Sequence, residues 1–178
     1  MSVTLQRGAN TSLQAAIAEQ GPRLRVVLEW AGDHPAHPSV DAVAFLLTES
    51  GKVRSDGDMI FYNHPTEEGG FIIMAAGENV ARGLHVQAFT LDLDKVPEGI
   101  ERVCFCLTLQ SGVGGLLYLS QLSQTALRVL GGPADTELVR ADFSMGGTQE
   151  TALIMGEVYR RKGEWKVKCV AQGFVSGL

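Results

Sequence analysis

The side chains best able to do chemistry in this chain are carboxylates beside short apolar runs. Asp41 opens the apolar run 42–47. Asp56 and Asp58 come just before Met59-Ile60-Phe61-Tyr62-Asn63. Glu78 and Asn79 follow Gly77 in a glycine-flanked loop. Carboxylates gathered in one loop cluster repel each other unless a cation neutralises them. A hard cation such as Ca²⁺ takes six to eight oxygens from carboxylates, amides, backbone carbonyls and water. If 42–47 and 59–63 are strands of one hairpin, Asp41 is expected near Asp58. The competing reading is local: Asp and Asn are favoured in turns because they hydrogen-bond their own backbone.

Other chemistry has weaker support. The chain has no G-x-S-x-G elbow, Walker A loop, G-x-G-x-x-G, H-E-x-x-H or C-x-x-C. Gly112-Val113-Gly114-Gly115 lacks the lysine and hydroxyl needed to cradle phosphate. An EF-hand starting at Asp56 fails, because Ile60 and Phe61 stand where the third ligand and the obligatory glycine belong. His34, His37 and His64 suit a softer metal, but an H-x-x-H pair in a proline-rich loop is not preorganised. No spacing couples a nucleophile to a base, so no catalytic residue is assigned and no enzyme activity is expected; a hydrolase using the acidic pair Asp56/Asp58 ranks last among the alternatives for the same reason. Cys104 and Cys106 share a face of a strand about 6.5–7 Å apart, too far for an unstrained disulfide. With Cys169 alone, reduced buried thiols in a cytoplasmic protein are expected.

These residues need elements to hold them. Period-2 alternation places Leu24, Val26, Leu28 and Trp30 on one face of a strand. Val103, Phe105, Leu107 and Leu109 do the same, as do Trp165, Val167, Cys169 and Ala171. Runs at 42–47, 71–75, 126–130, 137–141 and 152–159 read as further strands. Turn chemistry separates them at Ser50-Gly51-Lys52, Asp56-Gly57-Asp58, Gly131-Gly132-Pro133 and Lys162-Gly163. Residues 159–165 read as a hairpin joining two strands. Thr11-Ser12-Leu13-Gln14 fits a capping box before a helix over 15–19, and Gly21-Pro22 would stop it. A second short helical turn falls within 115–124. About ten short strands without βα alternation indicate an all-β fold: an antiparallel β-sandwich of two sheets with one or two short helices.

Length and composition agree with one domain over 1–178. Of the 178 residues 45% are apolar and 20% charged, and 21 are glycine, above the usual ~7%. That excess suits many tight turns. A formal charge of −5 excludes a typical phosphate-backbone binder, so no nucleic acid is expected. The longest apolar runs are six residues, against about 20 for a spanning helix, so no membrane span is expected. The Met1–Leu5 start shows no signal peptide.

Several ordered motifs resemble the tellurium-resistance TerD family. They are Met1-Ser2-Val3-Thr4-Leu5-Gln6-Arg7-Gly8-Ala9-Asn10, Asp41-Ala42-Val43-Ala44-Phe45-Leu46-Leu47, and Gly51-Lys52-Val53-Arg54-Ser55-Asp56-Gly57-Asp58-Met59-Ile60-Phe61-Tyr62-Asn63. Leu91-Asp92-Leu93-Asp94-Lys95-Val96-Pro97 continues the series, as does Glu150-Thr151-Ala152-Leu153-Ile154-Met155-Gly156-Glu157-Val158-Tyr159-Arg160. Gly163-Glu164-Trp165-Lys166 and Gln172-Gly173-Phe174 complete it. The resemblance implies a cytoplasmic bacterial β-sandwich that binds calcium and serves tellurite and stress resistance, with other stress-response proteins as partners and no established enzyme activity.

The family's acidic pattern is only partly kept. Its D-x-D-x-D before the buried strand becomes His37-Pro38-Ser39-Val40-Asp41. Its G-D-N loop with an acidic run becomes Gly77-Glu78-Asn79, then Val80-Ala81-Arg82-Gly83-Leu84-His85-Val86. The resemblance leaves Asp41, Asp56, Asp58, Glu78 and Asn79 as candidate Ca²⁺ ligands. Affinity follows the number of charged ligands, so binding is expected to be weakened or absent. The alternative is a metal-independent interaction module. It would use the apolar segment of Leu116, Leu117, Tyr118, Leu119 and Leu122, or the basic hairpin of Arg160, Arg161, Lys162, Lys166 and Lys168. The plainer readings are a segment folded over the sandwich edge and a solvated hairpin face. Trp165 is expected as a core anchor.

Overall fold

The computed structural model describes residues 1–32, 40–80, 83–110 and 118–178, with 78–80 as backbone. The first strands are β1 (Val3–Thr4) and β2 (Asn10–Ser12), followed by the helix α1 (Gln14–Gln20). Then come β3 (Arg23–Ala31), β4 (Val40–Leu47), β5 (Met59–Ile60), β6 (Ile72–Met74), β7 (Glu78–Val80) and β8 (Leu84–Asp92). The remaining strands are β9 (Arg102–Leu109), β10 (Gln124–Gly131), β11 (Thr136–Asp142), β12 (Ala152–Arg161) and β13 (Glu164–Phe174). Short 3-10 turns cover Asp56–Asp58, Leu93–Lys95 and Leu119–Gln121.

Two sheets form. The first runs β1-β11-β10-β3-β8-β6, with β7 also on β8. The second runs β2-β13-β12-β9-β4-β5. Among the described residues every pairing is antiparallel except β1 with β11. The expected β-sandwich is therefore present, with one parallel pair at its edge. The alternation in β3 and β9 drives it. Leu24, Val26 and Leu28 meet Val103, Phe105 and Leu107 in one core. Phe89 and Phe105 touch edge to face across the sheets, their centroids 5.4 Å apart, a favoured aromatic arrangement.

Three local expectations change. Strand β8 is nine residues long and central, between β3 and β6, yet the sequence pattern does not mark it. Its inward positions include His85 and Gln87 at one end and Phe89 and Leu91 at the other, so the apolar alternation fails halfway along. Helix α1 begins after Leu13, which makes no side-chain cap. Thr11 lies in β2, and the Ser12 hydroxyl accepts the Gln14 N–H at 3.2 Å, so the capping box does not form. Leu119 is fully buried and Leu122 packs on the core, as the edge-covering reading expects; Leu116 and Leu117 lie outside the described residues. Trp165 is buried in the core, with the Arg160 guanidinium 4.9 Å from its ring.

Candidate functional site

Strand register decides which acidic residues can meet. In β4 and β5, Ala44 pairs with Ile60 and Phe45 with Met59. Antiparallel pairing sets the start of one strand against the end of the other. Asp58, just before β5, therefore lies toward the Leu47 end of β4. Met59 sits opposite Phe45, four residues and about 13 Å along the strand from Asp41. The expected neighbourhood of Asp41 and Asp58 does not form, because Asp58 precedes the second strand instead of ending it.

Asp58 already has a cationic partner. It is buried, at 2% exposure. Its Oδ1 accepts Arg54 Nη2 at 2.7 Å, and its Oδ2 accepts Arg54 Nε at 2.9 Å and the Arg54 backbone N–H at 2.8 Å. Bonding to that guanidinium outweighs burial and holds the Asp58 carboxyl below its ordinary range. The Ser55 hydroxyl accepts the Gly57 N–H and closes the turn. Asp56 is exposed in the same turn. Sequence reasoning missed Arg54: a spacing of four signals a pair on a helix, and this pair is made across a turn with Ser55 extended.

The other candidates lie at the opposite end. Asp41 pairs with Thr108 near the start of β4, and its carboxylate accepts a hydrogen bond from Gln110 Nε2. In β7, Glu78 pairs with Val86 and Asn79 with His85. His85 in turn pairs with Trp30 near the end of β3. Asp41, Glu78 and Asn79 thus share the end where β3 finishes and β4 and β8 begin, whereas Asp56 and Asp58 do not. Among the described residues no three His, Cys, Asp or Glu side chains come together to hold a metal. The five candidates do not fit one calcium site of six to eight oxygens. Of the histidines suggested for a softer metal, His34 and His37 lie outside the described residues, as does Arg82. His64 Nε2 lies 3.2 Å from the Gly57 carbonyl oxygen.

Between the sheets at the Asp41 end is a cleft of about 210 Å³. The indole of Trp30 and the imidazole of His85 form its aromatic side, stacked at 5.6 Å and 11°. Both are buried. Gln87 is also buried, and its Nε2 donates to the Ala75 carbonyl at 2.6 Å and the Ala88 carbonyl at 3.2 Å. Its Oε1 lies toward Gly77, where an added Cβ would approach to 3.1 Å. Asp41 and Tyr62 complete the wall, and Tyr62 is 61% exposed. The sequence signal for this cleft was the polar half of β8: two polar residues at inward spacing.

The cysteines offer no reactive thiol. All three are free and buried. Burial, reinforced by Glu157, pushes the Cys104 thiol up to about 12; burial also pushes up Cys106 and Cys169.

A TerD domain model matches residues 1–178. The chain is 34% identical to "Tellurium resistance protein TerD" of Serratia marcescens, over all of this chain and 94% of that protein. It is 32% identical to "General stress protein 16U" of Bacillus subtilis, over 78% of this chain and 72% of that protein. A crystal structure of a homologue of telluride resistance protein (TerD) from Streptomyces coelicolor superposes with a TM-score of 0.67. Its identity is 24%, covering 88% of this chain and 92% of that one.

Proposed function

The chain belongs to the TerD family, and from that premise we propose that it is a cytoplasmic, non-enzymatic binding protein of the tellurium-resistance and stress response. It takes calcium weakly, and at one end of the sandwich only. Asp41 and the Glu78–Asn79 strand hold the ion; Asp58 plays no part in it. The observation that carries this reading is the Arg54 guanidinium, which already neutralises Asp58 and bonds both its oxygens. Strand register supports the same division of the ligands. Names of relatives as resistance and stress proteins support the role. Buried, unpaired cysteines suit a reducing compartment. Other stress-response proteins are the partners this role implies.

A thermal melt of metal-stripped protein tests the reading. With a dissociation constant on the order of 1 mM, 10 mM Ca²⁺ adds about 1.4 kcal/mol by mass action. That corresponds to a midpoint rise of about 3–5 °C at this size. The rise should vanish in Asp41→Ala and persist in Asp58→Ala, whatever Asp58→Ala does to the metal-free midpoint. No rise in the unaltered protein favours the metal-independent module.

A further inference from the structure

We propose that the Trp30–His85 cleft is a binding site for a small organic ammonium ion. This inference does not depend on calcium binding.

The first observation is a buried polar side chain left open. His85 is 8% exposed and lines the cleft; among the described residues its ring nitrogens make no side-chain hydrogen bond, and neither is a sealed, unsatisfied atom, so both stay open to a ligand or to solvent. Stacking on Trp30 holds the ring in place, so its nitrogens are presented in a fixed direction.

The second observation is the chemistry of the other polar groups. Gln87 uses its donor end on two backbone carbonyls. That orients the amide and leaves Oε1, an acceptor, on the Gly77 side. Asp41 adds a carboxylate, and among the described residues no lysine or arginine lines the cleft. The site is therefore rich in acceptors and carries negative charge. It suits a cationic donor and disfavours an anion. The Trp30 and Tyr62 rings add the π surfaces that attract ammonium groups.

Size narrows the class. A volume of about 210 Å³ is below the range of roughly 300–1,000 Å³ usual for drug-sized ligands. It equals about seven waters at ~30 Å³ each. A short alkylammonium fits; a nucleotide or peptide does not.

The test is an NMR titration with ethylammonium chloride and tetramethylammonium chloride, EDTA present throughout. The Trp30 indole N–H should shift saturably, with a dissociation constant in the millimolar range, while that of Trp165 stays put. Two variants should weaken binding at least fivefold: His85→Asn removes the imidazole, and Gly77→Ala crowds Gln87 Oε1. Gly77→Ala is the folding control, because it adds one methyl at a position without positive φ. Its melting midpoint should match the unaltered protein within a few degrees. A linear, unsaturated response would overturn the proposal. So would an equal response to sodium acetate, or unchanged affinity in Gly77→Ala. With calcium excluded, this result is read separately from the Asp41→Ala melt.

Discussion

Asp58 carries a charge into a buried position and keeps it because the exposed Arg54 side chain reaches in to bond both its oxygens. Replacing it with alanine leaves the guanidinium and a backbone N–H unpaired. The expected cost is about 2 kcal/mol, measurable by urea denaturation in EDTA. The same pair sets an acid limit. The folded pKa of Asp58 is lowered, so its contribution is present above the unfolded value of about 3.9 and is lost as pH falls through the folded value. Arg54→Met should flatten the loss of stability below about pH 4, seen in melts across pH 2–5. The thiols predict a second outcome. Protonated and buried, Cys104, Cys106 and Cys169 should resist iodoacetamide at neutral pH in the native state. Mass spectrometry should show three modifications only after unfolding; fast native labelling would contradict their burial. At this scale the sequence was informative about residue type and less so about neighbourhood. It marked Asp41 and Asp58 as unusual. It could not show that one faces Gln110 and the other Arg54, because that depends on which end of a hairpin each occupies.

Strands with clean alternation, such as β3, β9 and β13, were legible because one face meets the core and the other does not. Strand β8 was not, since His85 and Gln87 interrupt its inner face where the cleft lies. The very short β1 and β2 were also hidden: two or three residues carry no periodicity. Within the second sheet, β12 changes register between Ile154 and Gly156 against both of its neighbours. At that point a Cβ on Gly156 would lie 2.8 Å from the Lys168 carbonyl oxygen and 3.2 Å from Leu127 Cδ1. The backbone oxygen cannot yield without breaking the ladder. Gly156→Ala should therefore cost about 1–3 kcal/mol as overpacking, read as a lower denaturation midpoint with the sandwich retained by circular dichroism. No change in midpoint would mean that β12 can slide to make room.

Across the whole molecule, composition and motif order anticipated an all-β sandwich, and the relatives agree. The way its edges are closed was not anticipated. The first dozen residues cross between the layers: β1 completes the first sheet on β11, and β2 completes the second on β13. The Leu5 N–H donates to the Arg140 carbonyl, and the Gly8 N–H to the Cys169 carbonyl. Removing residues 1–12 should expose both strand edges, and unpaired edges invite intermolecular pairing. Light scattering should show aggregation of the truncated protein at concentrations where the full chain stays monodisperse. This strap also bears on the order of synthesis. Its residues leave the ribosome well before their partners at 139–140 and 166–168, which follow more than 130 residues later. At roughly 5–20 residues per second, the strap waits on the order of ten seconds for its partners, a window in which a holding chaperone would matter more to this chain than to one whose edge strands are made last.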